Sequence, residues 1–179
     1  MHRLFVALRP PRALREQLLD AMGGVPGARW QSEDQLHLTL RFIGEVDRPL
    51  ADDIAACLGA VDHPRPAIAL RGAGSFDHKG HVHSLWAGIA PDEALKQLHD
   101  RIDRALIRAG VEPDPRAFTP HVTLARLGRQ AGPVEPFLAR VAGLASAPAA
   151  VDAFILYESR LGHEGASYEA VARYSLRDS

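Results

Sequence analysis

Cysteine is almost absent: Cys57 is the only one in 179 residues. An internal disulfide and a cysteine-based metal cluster are therefore excluded, which suits a reducing compartment, the cytoplasm. Long apolar runs are absent too. No stretch approaches the roughly 20 residues of a membrane-spanning helix, so no membrane partner is expected. The apolar part of Met1-His-Arg-Leu-Phe-Val-Ala-Leu-Arg-Pro10 is shorter than the core of a secretory signal and reads as a first strand. There is also no excess of one charge, the formal net charge being −1. The chain as a whole is not a polyanion binder, and a nucleic-acid ligand must be met by a local basic site. Low-complexity segments and long flexible linkers are missing as well. With 46% hydrophobic and 24% charged residues, the composition is that of a single globular domain over residues 1–179, or two small lobes sharing a core. It is expected to act as a monomer.

What the sequence does contain is a repeat. His37-Leu38-Thr39-Leu40 returns as His121-Val122-Thr123-Leu124, and His, Thr, Leu and Gly recur at offsets zero, two, three and seven, through Gly44 and Gly128. The copies lie about half a chain apart, which suggests a duplicated fold in which each half supplies one His-x-Thr to a shared site. Both sit in apolar runs that read as strands. A period of two puts His and Thr on one strand face and Leu40 or Leu124 on the other. Two residues on one face lie roughly 6.5–7 Å apart, so an imidazole and a hydroxyl can reach one small anion together.

Around the repeat, apolar spacing predicts a strand over 4–8, stopped by Pro10 and Pro11. A helix over 12–22 follows, with Leu14, Leu18 and Met22 on one face. The first motif strand spans 36–43 and closes at Gly44; a second helix covers 49–58. A hairpin is expected from 68–76 and 82–89 around Asp77-His-Lys-Gly80. The longest helix runs over 91–110, with Pro91 in its first turn and Gly110 as its C-cap. After the second motif strand come a short helix over 133–141 and two strands, 151–159 and 167–176. The 160–165 segment between them reads as a loop, a candidate mobile rim. This order favours α+β over a doubly wound α/β fold.

Several strings extend the pattern over nearly the whole chain: Arg3-Leu-Phe-Val-Ala-Leu8, Arg29-Trp30, Leu40-Arg-Phe-Ile-Gly-Glu45 and Phe118-Thr-Pro-His-Val-Thr-Leu-Ala-Arg126. Leu156-Tyr-Glu-Ser-Arg160, Tyr168-Glu-Ala-Val-Ala172 and Tyr174 complete them. Together they resemble the two-histidine phosphoesterases, and among them the LigT-like RNA 2′,3′-cyclic phosphodiesterases, also called RNA 2′-5′ ligases. The resemblance implies two pseudo-symmetric lobes, each an antiparallel sheet with outer helices, around a central cleft. It also implies that the first strand need not stay in the sequence-proximal lobe. The implied reaction is hydrolysis of RNA ends bearing a 2′,3′-cyclic phosphate to 2′-phosphomonoesters, with 2′-5′ RNA ligation as an associated activity and no cofactor or metal. The resemblance makes His37 the proton donor and His121 the acceptor; the near-symmetry of the motifs does not by itself separate those roles. Two other readings stay open: a phosphodiesterase for a small cyclic nucleotide, and a non-catalytic binder of RNA ends. Intact His and Thr in both copies argue against the second.

The residue types fit that chemistry. Splitting a phosphodiester requires one proton taken from the attacking oxygen and one given to the leaving oxygen, and imidazole does both near neutral pH. Thr39 and Thr123 can bond the non-bridging phosphate oxygens, and an arginine adds a bidentate contact. Arg41 stands at offset four of the first motif and Arg126 at offset five of the second. Strand parity puts Arg41 on the His37 face and Arg126 on the face opposite His121. The resemblance nevertheless carries the phosphate contact onto Arg126, which requires a bulge or strand end after Leu124. Phe42, at offset five of the first motif, is a candidate platform for a base, as are Trp30 and Tyr157; core packing is the competing role for each. His78, His81 and His83 mimic a zinc spacing but read as an exposed hairpin turn.

Overall fold

The computed structural model describes residues 1–178. The strands are β1 (His2–Leu8), β2 (Arg29–Trp30), β3 (Leu38–Val46), β4 (Ala67–Ile68), β5 (Leu70–His78), β6 (His81–Ile89), β7 (His121–Arg126), β8 (Ala149–Ala150), β9 (Ala153–Gly162) and β10 (Gly165–Ser175). The helices are α1 (Arg12–Ala21), α2 (Arg48–Leu58), α3 (Glu93–Ala109) and α4 (Glu135–Val141), and a single 3-10 turn covers Glu33–Gln35. No helix among the described residues is long and apolar enough to cross a membrane.

Local chemistry accounts for the boundaries. The Asp47 carboxylate accepts from the Leu50 N–H and starts α2. Asp92 does the same for Leu95, so α3 begins after Pro91 and not with it. Gly110, at φ 107°, closes α3 in the left-handed conformation that suits glycine. The first long hairpin turns on only Lys79 and Gly80, at φ 52° and 78°, which lets His78 pair with His81. The 160–165 segment is not a loop: Arg160 pairs with Ser167 and Leu161 with Ala166, leaving His163 and Glu164 as the turn. A charged, apolar-poor run hid these strand ends from the sequence. β3 likewise continues through Gly44 to Val46, because Gly44 at φ 91° lies beside an irregularity in the ladder with β1 and does not end the strand.

The strands follow the order β10-β9-β1-β3-β7-β6-β5, with β2 also on β7; β4 and β8 pair separately. All the pairings between these strands are antiparallel. β3 meets β7 at one residue pair, Leu38 and Val122. That pair joins two half-sheets. One half holds β10, β9, β1 and β3; the other holds β7, β6, β5 and β2. The first strand thus shares a half with the last two. Helices cover one side: Leu14, Leu18, Ile54, Leu58, Leu98, Ile102 and Phe137 form one core with Leu38, Leu40, Val122 and Leu124. Each such fully buried side chain contributes roughly 1.5–3 kcal/mol. β1 is buried on both faces. Leu4, Val6 and Leu8 enter the helix-side core, while Phe5 and Ala7 join Tyr157, Ile155 and Tyr168 on the opposite side.

Candidate active site

His121 opens β7, whereas His37 stands immediately before β3, which starts at Leu38 and not at residue 36; β3 and β7 are the strands at the junction of the half-sheets. Both strands carry a bulge at the same motif position. On the β1–β3 ladder Ala7 faces Thr39 and Val6 faces Arg41, leaving Leu40 as the extra residue. On the β6–β7 ladder Trp86 faces Thr123 and Leu85 faces Ala125, leaving Leu124 extra. An extra residue inverts the alternation beyond it. Offset five therefore returns to the His-Thr face in both copies, and offset four turns to the helices.

This corrects the expectation for Arg41. Its side chain lies on the helix side, only 5% exposed. It donates to Asp103 of α3 at 2.7 Å, to the Phe42 carbonyl at 2.6 Å and to the Glu112 carbonyl at 2.5 Å. Arg126, by contrast, is exposed opposite Ser84 on the same strand face as Thr123 and Trp86. Phe42 occupies the equivalent position in the first half, 43% exposed, with its ring stacked on Phe5 at 5.7 Å. Thr39 and Thr123 are both half-buried.

Each histidine is held in the same way. The His37 Nδ1–H donates to the Gln35 carbonyl at 2.7 Å, and the His121 Nδ1–H to the Thr119 carbonyl at 2.7 Å. A carbonyl only accepts, so the Nδ1 proton is fixed and each neutral ring keeps its lone pair on Nε2. Neither Nε2 bonds to another group among the described residues. Aromatic rings brace both imidazoles. His37 lies 4.9 Å from Phe5, 5.0 Å from Tyr168 edge-on and 6.5 Å from Tyr157. His121 lies 5.0 Å from Phe76 edge-on and 6.1 Å from Trp86.

Burial pushes His37 down to about 4. The Gln35 carbonyl bond opposes this, and the charges of Arg126 and His121 lower it further. Those two groups come from the other half-sheet, so the motifs act on one another across a shared space. An anion entering that space would favour the charged imidazole and raise the value again.

Phe5, Tyr168, Phe76 and Trp86 were not singled out from sequence, because they lie in strand runs that read equally well as core. Tyr157 sits beneath His37, but Trp30 packs on Phe137 of α4 at 5.3 Å, in the core. His78 and His81 face each other at the hairpin tip, with His83 exposed nearby. Among the described residues no three His, Cys, Asp or Glu side chains are grouped so as to hold a metal.

An α+β fold whose two half-sheets each present a His-x-Thr strand is that of the two-histidine phosphoesterases. The chain belongs, within them, to the 2′-5′ RNA ligase superfamily, whose sequence profile matches residues 9–163. It is 37% identical over 105 residues to an RNA 2′,3′-cyclic phosphodiesterase of Aeropyrum pernix, a match covering 58% of this chain and 59% of that one. A protein of the same name from Geobacillus stearothermophilus is 30% identical over 88% of this chain, which spans half of that protein's length. An Escherichia coli protein of that name is 31% identical, over 97% of this chain and 96% of its own. The crystal structure of E. coli LigT complexed with 3′-AMP superposes with a TM-score of 0.80 at 27% identity, over 99% of both chains.

Proposed function

We propose that the chain is one two-lobed domain that opens 2′,3′-cyclic phosphates at RNA ends to 2′-phosphomonoesters. Water attacks phosphorus and the bond to the 3′ oxygen breaks. His121 takes the proton from the water and His37 gives one to the leaving oxygen, so the proton count closes on the two imidazoles. Thr39, Thr123 and Arg126 hold the non-bridging oxygens where charge builds up. Phe42, on the opposite half, faces the ribose or base.

The observation that carries this reading is the matched pair of clamps. Two imidazoles from different half-sheets are each fixed through Nδ1 to the carbonyl two residues upstream, with Nε2 free. A donor must carry its proton when substrate is bound, whereas burial leaves His37 neutral near pH 7. The phosphodiester charge resolves the difference, because an anion between the imidazoles charges His37 on arrival. Both histidines, both threonines and Arg126 belong to one chain, which supports a monomer as the working unit. The single Cys57, its thiol donating to the Ala105 carbonyl, supports the cytoplasm as its compartment.

The test is digestion of a cyclic-phosphate dinucleotide and of 2′,3′-cyclic AMP, in EDTA, with chromatography resolving 2′- from 3′-phosphate. The expected product is the 2′-phosphate. Mainly 3′-phosphate would reverse the two histidines or the nucleoside, and no turnover of either compound would remove the catalytic reading.

A further inference from the structure

Where the end of β1 and the start of α1 meet β9 and β10 lies a cavity of about 390 Å³ lined by Arg9, Arg15, Arg65 and Arg173, with Asp152 and Ile155. Four guanidinium groups and one carboxylate line it, in a chain whose net charge is −1. The arginines come from four separate segments: the end of β1, α1, the loop before β4, and β10. That convergence sets the cavity apart from Arg101, Arg104 and Arg108, which lie on one face of α3 at ordinary helical spacing and read as a solvated surface.

A row of paired residues connects the cavity to the histidine site. Thr39 pairs with Ala7, Ala7 with Ile155, and Ile155 with Arg173, so one row of residues runs from the first motif to the cavity. Three strand spacings make this roughly 14 Å, or roughly four nucleotides of a stacked strand at 3.4 Å each. The Glu33–Gln35 turn links the two sites: Arg15 bonds Glu33, Arg9 approaches Asp34 at 3.8 Å, and the Gln35 carbonyl holds His37. The acids facing the arginines are exposed. Asp34 is 99% exposed and Asp178, beside Arg65, 84%; Asp152 beside Arg173 is 66% exposed. Such pairs are weak and screened, and a phosphodiester can displace them.

We infer that this arginine cavity is a second subsite, which takes a backbone phosphodiester of the RNA strand upstream of its cyclic end. The inference rests on RNA ends being the substrate and extends that reading from the terminal nucleotide to the strand. The protein would then favour an oligonucleotide over a mononucleotide through binding, with chemistry unchanged.

The test uses a 5′-fluorescein RNA octamer ending in a 2′-phosphate, followed by anisotropy across a salt series. It compares wild type, Arg9→Gln/Arg173→Gln, and the charge-matched control Arg104→Gln/Arg108→Gln, each with melting curves, 2′-AMP binding by calorimetry and turnover of 2′,3′-cyclic AMP. Expected for the cavity variant are severalfold weaker octamer binding at low salt and a log–log salt slope shallower by about 1.4, from two lost contacts at roughly 0.7 each. Its turnover of 2′,3′-cyclic AMP and its melting should match wild type, as should all properties of the control. Octamer binding equal to wild type, or an equal loss in the control, would overturn the subsite. An equal loss of 2′-AMP binding would overturn the strand assignment in favour of a terminal phosphate. If wild type opens no cyclic phosphate yet the octamer still depends on Arg9 and Arg173, the catalytic reading falls and the subsite stands.

Discussion

The burial of His37 has a thermodynamic consequence that can be measured without substrate. Its value falls from 6.5 to about 4 on folding, chiefly through desolvation among Phe5, Tyr157 and Tyr168. Between those values the unfolded chain binds a proton that the folded chain refuses, so stability rises with pH. The contribution is fully present above pH 6.5, is lost as pH falls below it, and is gone near pH 4. Integrating the linkage gives about 2.4 kcal/mol lost between pH 7 and pH 4.5 from this one group. His63, 1% exposed and also lowered by burial, adds an acid loss of its own. The comparison must therefore be between wild type and His37→Gln, in which that contribution cancels. Urea unfolding of both at pH 7 and pH 4.5 is the assay. The wild type should lose about 2 kcal/mol more than the variant over this interval, and sulfate should reduce the difference by charging His37 in the folded state. A difference below about 0.5 kcal/mol would mean that His37 is not desolvated. The coupling of its protonation to the arrival of the phosphate would then have no basis.

His37→Ala and His121→Ala should each lower kcat/KM roughly 10²- to 10⁴-fold, the usual range for a general acid or base, with the fold intact. A variant keeping more than about a tenth of the wild-type rate would break the paired mechanism. Arg41→Leu and Arg126→Leu should part company. Removing Arg41 leaves Asp103 and two carbonyls without their donor, which should cost roughly 1–3 kcal/mol in urea unfolding. Removing the exposed Arg126 should alter stability by no more than about 0.5 kcal/mol while raising KM and lowering kcat; a KM effect confined to Arg41→Leu would reverse the two assignments.

Much of this was legible in the chain. A repeated His-x-Thr-Leu marked both motif strands, and the α+β order with a closing hairpin followed from apolar spacing and turn residues. The direction of Arg41 was misread for a specific reason. Alternation is a property of one strand, whereas a bulge is a property of the ladder, set by how β3 registers on β1 and β7 on β6. Nothing within Leu-Arg-Phe-Ile or Leu-Ala-Arg-Leu announces the extra residue. The aromatic brace was hidden differently: Phe5 lies in a strand buried on both faces, so its run carries no alternation to read.

The shared bulge also locates what breaks the symmetry of the cleft. After Leu40 and Leu124, offset four turns inward in both copies. In the second copy it is Ala125, which needs no partner. In the first it is Arg41, whose guanidinium reaches Asp103, the Phe42 carbonyl and the Glu112 carbonyl, tying the bulge to α3 and to the loop beyond it. Offset five turns outward, and there the halves differ in kind: Arg126 offers a planar pair of donors, whereas Phe42 offers a face stacked on Phe5. The first half adds Tyr157 and Tyr168 around its histidine, which deepens the apolar side and lowers the affinity of His37 for a proton. In the proposed reaction the charged half therefore suits the phosphate oxygens and the apolar half the nucleoside. His37, on the nucleoside side, then stands where the departing 3′ oxygen needs its proton, while His121, at the start of the strand that ends in Arg126, stands where water meets phosphorus.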